Sequence, residues 1–120
     1  MNDETDWRQK LSGFAGNDPA TLIAICDAFL EEVPVLMRQI RSEVTNPTDP
    51  SKLRVAAHTL KSCFRYVAPD PDIERAAEIE HGAANPESIE PEQIDQIDAI
   101  AARWCQRVGK LRAETVTKGN

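Results

Sequence analysis

From Pro50 to Val67 the apolar residues return at steps of three and four. Placed on a helix at about 100° per residue, Leu53, Ala56, Ala57, Leu60, Cys63, Phe64 and Val67 fall within an arc of roughly 120°. That arc is a core stripe. His58 lies roughly 160° from its centre and is therefore expected to face water. Arg54, Lys61 and Arg65 share its side of the helix, at offsets that make near neighbours on a helical surface. Ser62, four residues on, is small and leaves access to the imidazole.

The same periodicity marks out the rest of the chain. Trp7 and Leu11 predict a short first helix over 5–13, with Thr5 or Asp6 as N-cap, lying over one end of the core. Asp18-Pro19 is a cap followed by proline at the first helical position. It opens a run in which Leu22, Ile25, Phe29, Val33, Leu36, Ile40 and Val44 repeat in heptad fashion. Pro34 interrupts this run and predicts either one bent helix or two in succession. Asp49-Pro50 repeats the cap-and-proline device for the His58 helix, which is expected to end at Ala68-Pro69. Asp70-Pro71 is expected to cap a fourth helix with Ile73, Ala76, Ala77, Ala83 and Ala84 inward. Glu80 falls at the middle of that inward face, where a carboxylate needs backbone amides or a basic side chain as partners. Pro91 opens the last helix, carried by Ile94, Ile97, Ala101, Trp104, Val108 and Leu111, and residues 115–120 read as a frayed tail.

The result is all-α: an antiparallel up-down four-helix bundle with a short additional N-terminal helix, a single domain over 1–120 with its core at about 15–112. Composition agrees, at 41% hydrophobic and 28% charged. No apolar run is long enough to span a bilayer, and the acidic amino terminus is unlike a signal peptide. Cys26, Cys63 and Cys105 form no CxxC pair and fall on or beside apolar stripes. Reduced thiols in a cytoplasmic protein follow. A net charge of −6 argues against nucleic acid as a partner and makes the cations around His58 stand out against the overall field. Monomer is the expected state.

An imidazole of ordinary pKa, about 6.5, is largely neutral at cell pH and carries a nucleophilic lone pair. Exposed and uncrowded, it can attack a phosphoryl group and later surrender it, with Lys and Arg neutralising the oxygens. Ala57-His58-Thr59-Leu60-Lys61-Ser62 resembles the signature of histidine-containing phosphotransfer (HPt) domains, in which a phosphorylatable His is followed by a small polar residue, an aliphatic, Lys, then Gly or Ser. Upstream, Asp18 to Arg41, with Phe29-Leu30-Glu31-Glu32-Val33-Pro34, is similar to the family's acidic, proline-containing helix. Downstream, Ala76-Ala77-Glu78-Ile79-Glu80 resembles its Ala-x-x-aliphatic-Glu segment. Ser62 replaces the commoner Gly, and Ala68 followed by Pro69 stands where Gly is usual.

The resemblance implies a relay. His58 takes a phosphoryl group from a receiver-domain aspartyl phosphate and passes it to another receiver aspartate. Lys61 and Arg65 assist electrostatically, with Arg54 a weaker third. Partners are receiver domains of hybrid histidine kinases and response regulators. The chain has no cofactor of its own, and Mg²⁺ comes from the receiver's acidic pocket. Docking is expected on Val55, which lies about 60° from His58, extended by Ile23, Leu30 and Met37 at the flank of the second helix. No Gly-rich phosphate loop is present, so autonomous catalysis from ATP is not expected. A helical adaptor without phosphotransfer is the alternative, and an HPt module fed by an ATP-bound kinase domain is a third. Glu78-x-x-His81 has di-metal spacing but lacks its second copy, since Val55 stands three before His58. The scattered His and Cys residues offer no zinc spacing, and no metal site is expected.

Overall fold

The computed structural model describes residues 3–119, with side chains from 6 to 118. Among these residues there are five α-helices, one short 3₁₀ turn and no strand. The helices are α1 (Asp3–Phe14), α2 (Pro19–Thr45), α3 (Pro50–Phe64), α4 (Asp70–Gly82) and α5 (Pro91–Gly119), with the 3₁₀ turn at Pro86–Ser88.

Local chemistry sets most of the boundaries. Asp18 accepts hydrogen bonds from the Thr21 amide at 3.0 Å and the Thr21 hydroxyl at 2.6 Å, so α2 begins on a capped turn with Pro19 at its head. Asp49 does the same for α3 through the amide and hydroxyl of Ser51, both at 2.9 Å. At the start of α5, the Gln93 side chain accepts from the Glu90 amide at 2.8 Å, one half of a capping box. The α1–α2 turn uses two consecutive left-handed residues, Gly16 (φ 65°) and Asn17 (φ 58°), the residue types that tolerate that region best.

Several boundaries differ from expectation. The first helix spans Asp3–Phe14 instead of 5–13, running through Gly13; the side chain of Thr5 lies outside the described residues. α2 is one helix through Pro34. α3 stops at Phe64, four residues short of Ala68, because the residue before Pro69 is biased away from helical geometry and the chain closes with Ala68 N–H donating to the Phe64 carbonyl at 2.7 Å. Asp70 is not a cap: the N-cap position of α4 is Pro69, with no side-chain bond. Nor does α5 fray at 115. It continues helically to Gly119, with the Thr115 and Thr117 hydroxyls bonded back to the carbonyls of Leu111 and Ala113.

The apolar stripes meet in one cluster. Phe29, Val33, Leu36 and Ile40 of α2, Leu53, Ala57, Leu60 and Phe64 of α3, Ala76 and Ile79 of α4, and Ile97, Trp104 and Val108 of α5 are all buried. α2 packs against α3 and α5, α3 against α4, and α4 against α5, so the contacts run round a closed circuit. α1 sits beside α2 and inserts Trp7 edge-on to Trp104, ring centres 5.4 Å apart. Asp72 is buried where α4 meets α5, accepting from Trp104 Nε1 at 2.8 Å and Arg103 at 3.0 Å. Cys26 and Cys63 are buried, Cys105 is half-buried, and all three are free thiols. Burial pushes the Cys63 thiol up to about 11, which keeps it protonated and inert.

Candidate functional site

Leu60 and Ala57 anchor α3 to the core, so the opposite side of the same turns faces outward with a fixed direction. His58 stands there with 57% of its side chain exposed. Its Nδ1 lies 2.9 Å from Glu80 Oε2 across the α3–α4 contact. The other carboxylate oxygen, Oε1, accepts from Lys61 Nζ at 2.5 Å. Lys61 and Glu80 are both mostly shielded, at 15% and 17% exposure.

Electrostatics assigns the proton. The Lys61 hydrogen bond holds the Glu80 carboxyl below its ordinary value; burial opposes this, and the His58 bond adds to the lowering. An ionised carboxylate only accepts hydrogen bonds, so Nδ1 carries the hydrogen of the neutral imidazole. The lone pair is then on Nε2, the nitrogen turned away from Glu80. This arrangement offers a nucleophile of fixed tautomer and orientation, backed by a carboxylate that can balance positive charge developing on the ring.

The surrounding residues fall into place unevenly. Arg54 and Arg65 are exposed on the His58 side of α3. Ser62 is half-buried, and its hydroxyl donates to the His58 carbonyl at 3.1 Å. Lys61 does not extend into solvent beside the ring as its offset suggests, because Glu80 draws it inward. The sequence leaves backbone amides or a basic side chain as partners for Glu80; the structure supplies the second, Lys61, and adds the His58 ring, which the sequence does not indicate. A carboxylate on an otherwise apolar helix face, the anomaly already visible at Glu80, was the available signal.

The expected docking patch needs correction. Val55 is exposed at 56%, but Met37 is buried at 6%. Ile23 and Leu30 are half-buried, and Leu30 packs against the core within reach of Gly109 on α5. Residues 23, 30 and 37 repeat at seven and share one stripe of α2, and Met37 lines the α2–α5 cleft with Val33, Ala101 and Cys105. That stripe belongs to the seam with α5, away from α3. The large hydrophobics that are exposed among the described residues are instead Phe14, Val35, Val55 and Tyr66. Phe14 and Tyr66 stack edge-to-face at 5.2 Å over a cleft of about 390 Å³ between α1, α2 and α3. Val35 lies on the same stripe of α2 as Ala28, Gln39 and Ser42, which line the clefts facing α3. Val55 falls about 60° around α3 from His58 and lines a cleft with α2, and Tyr66, in the turn after α3, lines the cleft between α1, α2 and α3.

Other constellations stay apart. Glu78 pairs with Arg75 at 2.9 Å and His81 is exposed. Among the described residues no group of His, Cys, Asp and Glu is arranged to hold a metal ion, and no helix is long and apolar enough to cross a membrane. A family model described as Hpt domain matches residues 24–112, well over half of the chain and including His58, Lys61 and Glu80. No curated protein and no solved structure gives a significant match.

Proposed function

The chain belongs to the Hpt domain family, which implies a phosphotransfer-related role in two-component signalling, and on that premise we propose that it is a phosphorelay intermediate working through His58. It accepts a phosphoryl group from a receiver-domain aspartyl phosphate and passes it to the aspartate of another receiver. The supporting observation is the exposed imidazole whose Nδ1 is held on Glu80.

The chemistry follows from that bond. The Nε2 lone pair attacks phosphorus, the acyl phosphate P–O bond breaks, and the aspartate carboxylate leaves. Nδ1 keeps its hydrogen throughout, so the ring becomes cationic as the P–N bond forms, and Glu80 faces that charge at 2.9 Å. The same contact is released on the return transfer. Lys61, Arg54 and Arg65 make the surroundings positive, and Ser62 keeps them open. Mg²⁺ is assigned to the partner's acidic pocket.

Docking is assigned to the face bearing Phe14, Val35, Val55 and Tyr66, where exposed apolar side chains lie on the α1–α2–α3 side and an approaching receiver reaches His58 without crossing a polar helix. The circuit of helix contacts supports an antiparallel up-down four-helix bundle, with α1 as the additional helix. The proposal takes this bundle as a single monomeric domain working in the cytoplasm.

The test is incubation with labelled phospho-receivers, comparing wild type with His58→Gln. Acid-labile label on wild type and none on the variant is the expected result. Equal receiver binding by both proteins with no label on either would replace the relay with an adaptor.

A further inference from the structure

The three cations on the His58 side of α3 are chemically unequal. Lys61 is already engaged, its Nζ 2.5 Å from Glu80 in a pair that is mostly shielded from water. Turning it to a phosphoryl group would leave Glu80 a half-buried carboxylate with one partner, facing a second anion. Arg54 and Arg65 are exposed, and among the described residues neither has a hydrogen-bond or ion-pair partner. Of the other arginines, Arg41 is taken up by Asp95 and Asp98, Arg75 by Glu78, Arg103 by Asp72 and Arg112 by Asp27, while Arg38 is exposed on α2, a different helix from His58.

Position separates Arg54 from Arg65. Arg54 is four residues before His58 and about 40° round the helix, an adjacent surface position with Cβ atoms about 5–6 Å apart. Side chains on a helix lean toward its N-terminus, so the His58 ring covers the turn that bears Arg54. Arg65 is helical in backbone (φ −60°, ψ −22°) but two turns further on, roughly 10 Å along the axis.

Resting on the reading of His58 as phosphoryl acceptor, we propose a division of labour in which Arg54 grips the phosphoryl group on Nε2 while Lys61 is a positioning residue acting through Glu80. The guanidinium fork matches two phosphoryl oxygens at once, which an ammonium cannot do. Lys61 fixes the carboxylate that fixes the ring. Arg65 contributes only to the general field.

The experiment needs no partner protein. The probe is phosphoramidate, a small donor whose P–N bond breaks as Nε2 bonds phosphorus, the ammonia leaving with a proton from water. Uptake and decay of phosphohistidine are followed in wild type, Arg54→Gln, Arg54→Lys, Arg65→Gln and Lys61→Ala, and ¹⁵N spectra report the tautomer of the unmodified ring. Arg54→Gln should slow uptake or hasten decay about fivefold, with an unchanged tautomer and partial recovery in Arg54→Lys. Lys61→Ala should redistribute the tautomer, an effect that Lys61→Arg reverses. Normal kinetics in Arg54→Gln, or a rate loss in Lys61→Ala with the tautomer unmoved, would overturn the assignment. An Arg54 effect in a protein that exchanges no label with any receiver would support the assignment and dismiss the relay, so the two ideas fail separately.

Discussion

Glu80 answers to two residues, and each contact has its own measurable sign. Because Lys61, and to a lesser degree His58, hold its carboxyl below the ordinary 4.5, the folded state binds that proton less readily than the unfolded chain. The resulting stabilisation is complete above about pH 4.5 and is lost as pH falls through the lowered value. Melting curves of wild type and Glu80→Gln should therefore differ at pH 7 and converge as pH falls below 4.5 and through the lowered value. A gap that is constant with pH would mean the carboxylate's charge contributes nothing. In phosphoryl uptake Glu80→Gln should be slower by about tenfold, since a neutral amide neither selects the tautomer nor balances a cationic ring. His58, Arg54 and Arg65 were legible in the sequence because a helix wheel reports their exposure directly, whereas Lys61 is turned inward by Glu80. The His58–Glu80 contact was not legible, since no local period links residues on different helices 22 positions apart.

Between helices, the seams decide what single substitutions do. Asp72 joins α4 to two residues of α5, so Asp72→Ala should cost about 1–3 kcal/mol in urea unfolding by stranding the buried Trp104 N–H. Asp72→Asn keeps an acceptor and should cost less; equal losses would show that the charge to Arg103 dominates. The start of α4 was misread because Pro69-Asp70-Pro71 contains two prolines and a residue fit to cap, and sequence offers no rule for choosing between them. The opposite problem arose at Pro34, where a breaker by propensity sits inside one continuous helix. There, buried Val33, Leu36 and Met37 hold α2 together across the lost backbone bond. The starts of α2, α3 and α5, marked by Asp-Pro or Glu-Pro, were readable from that local signal, whereas α1, which lacks it, begins two residues before the expected position.

For the molecule as a whole, the distinction is between apolar residues that complete the core and those left outside it. On the helix wheel Val55 lies on the outward side of α3, about 60° from His58, whereas Met37 borders the α2 stripe, where spacing alone leaves a residue free to pack either way. α5 covers Met37; nothing among the described residues covers Val55. Met37→Glu should therefore destabilise the fold by roughly 2–5 kcal/mol, while Val55→Glu should change stability by no more than about 0.5 kcal/mol. In receiver assays the order reverses for folded protein: Val55→Glu should weaken transfer at unchanged phosphoramidate uptake. Transfer untouched by Val55→Glu and Tyr66→Ser together would move the docking face elsewhere.

The hydrogen bond that ties one ring nitrogen to Glu80 also dictates which chemical isomer the modified protein presents. Phosphohistidine exists in τ and π forms, and with the π nitrogen already committed inward, a phosphoryl group taken up as proposed would give the τ isomer. A τ-selective antibody should stain the phosphorylated protein; a π-selective one should remain blank.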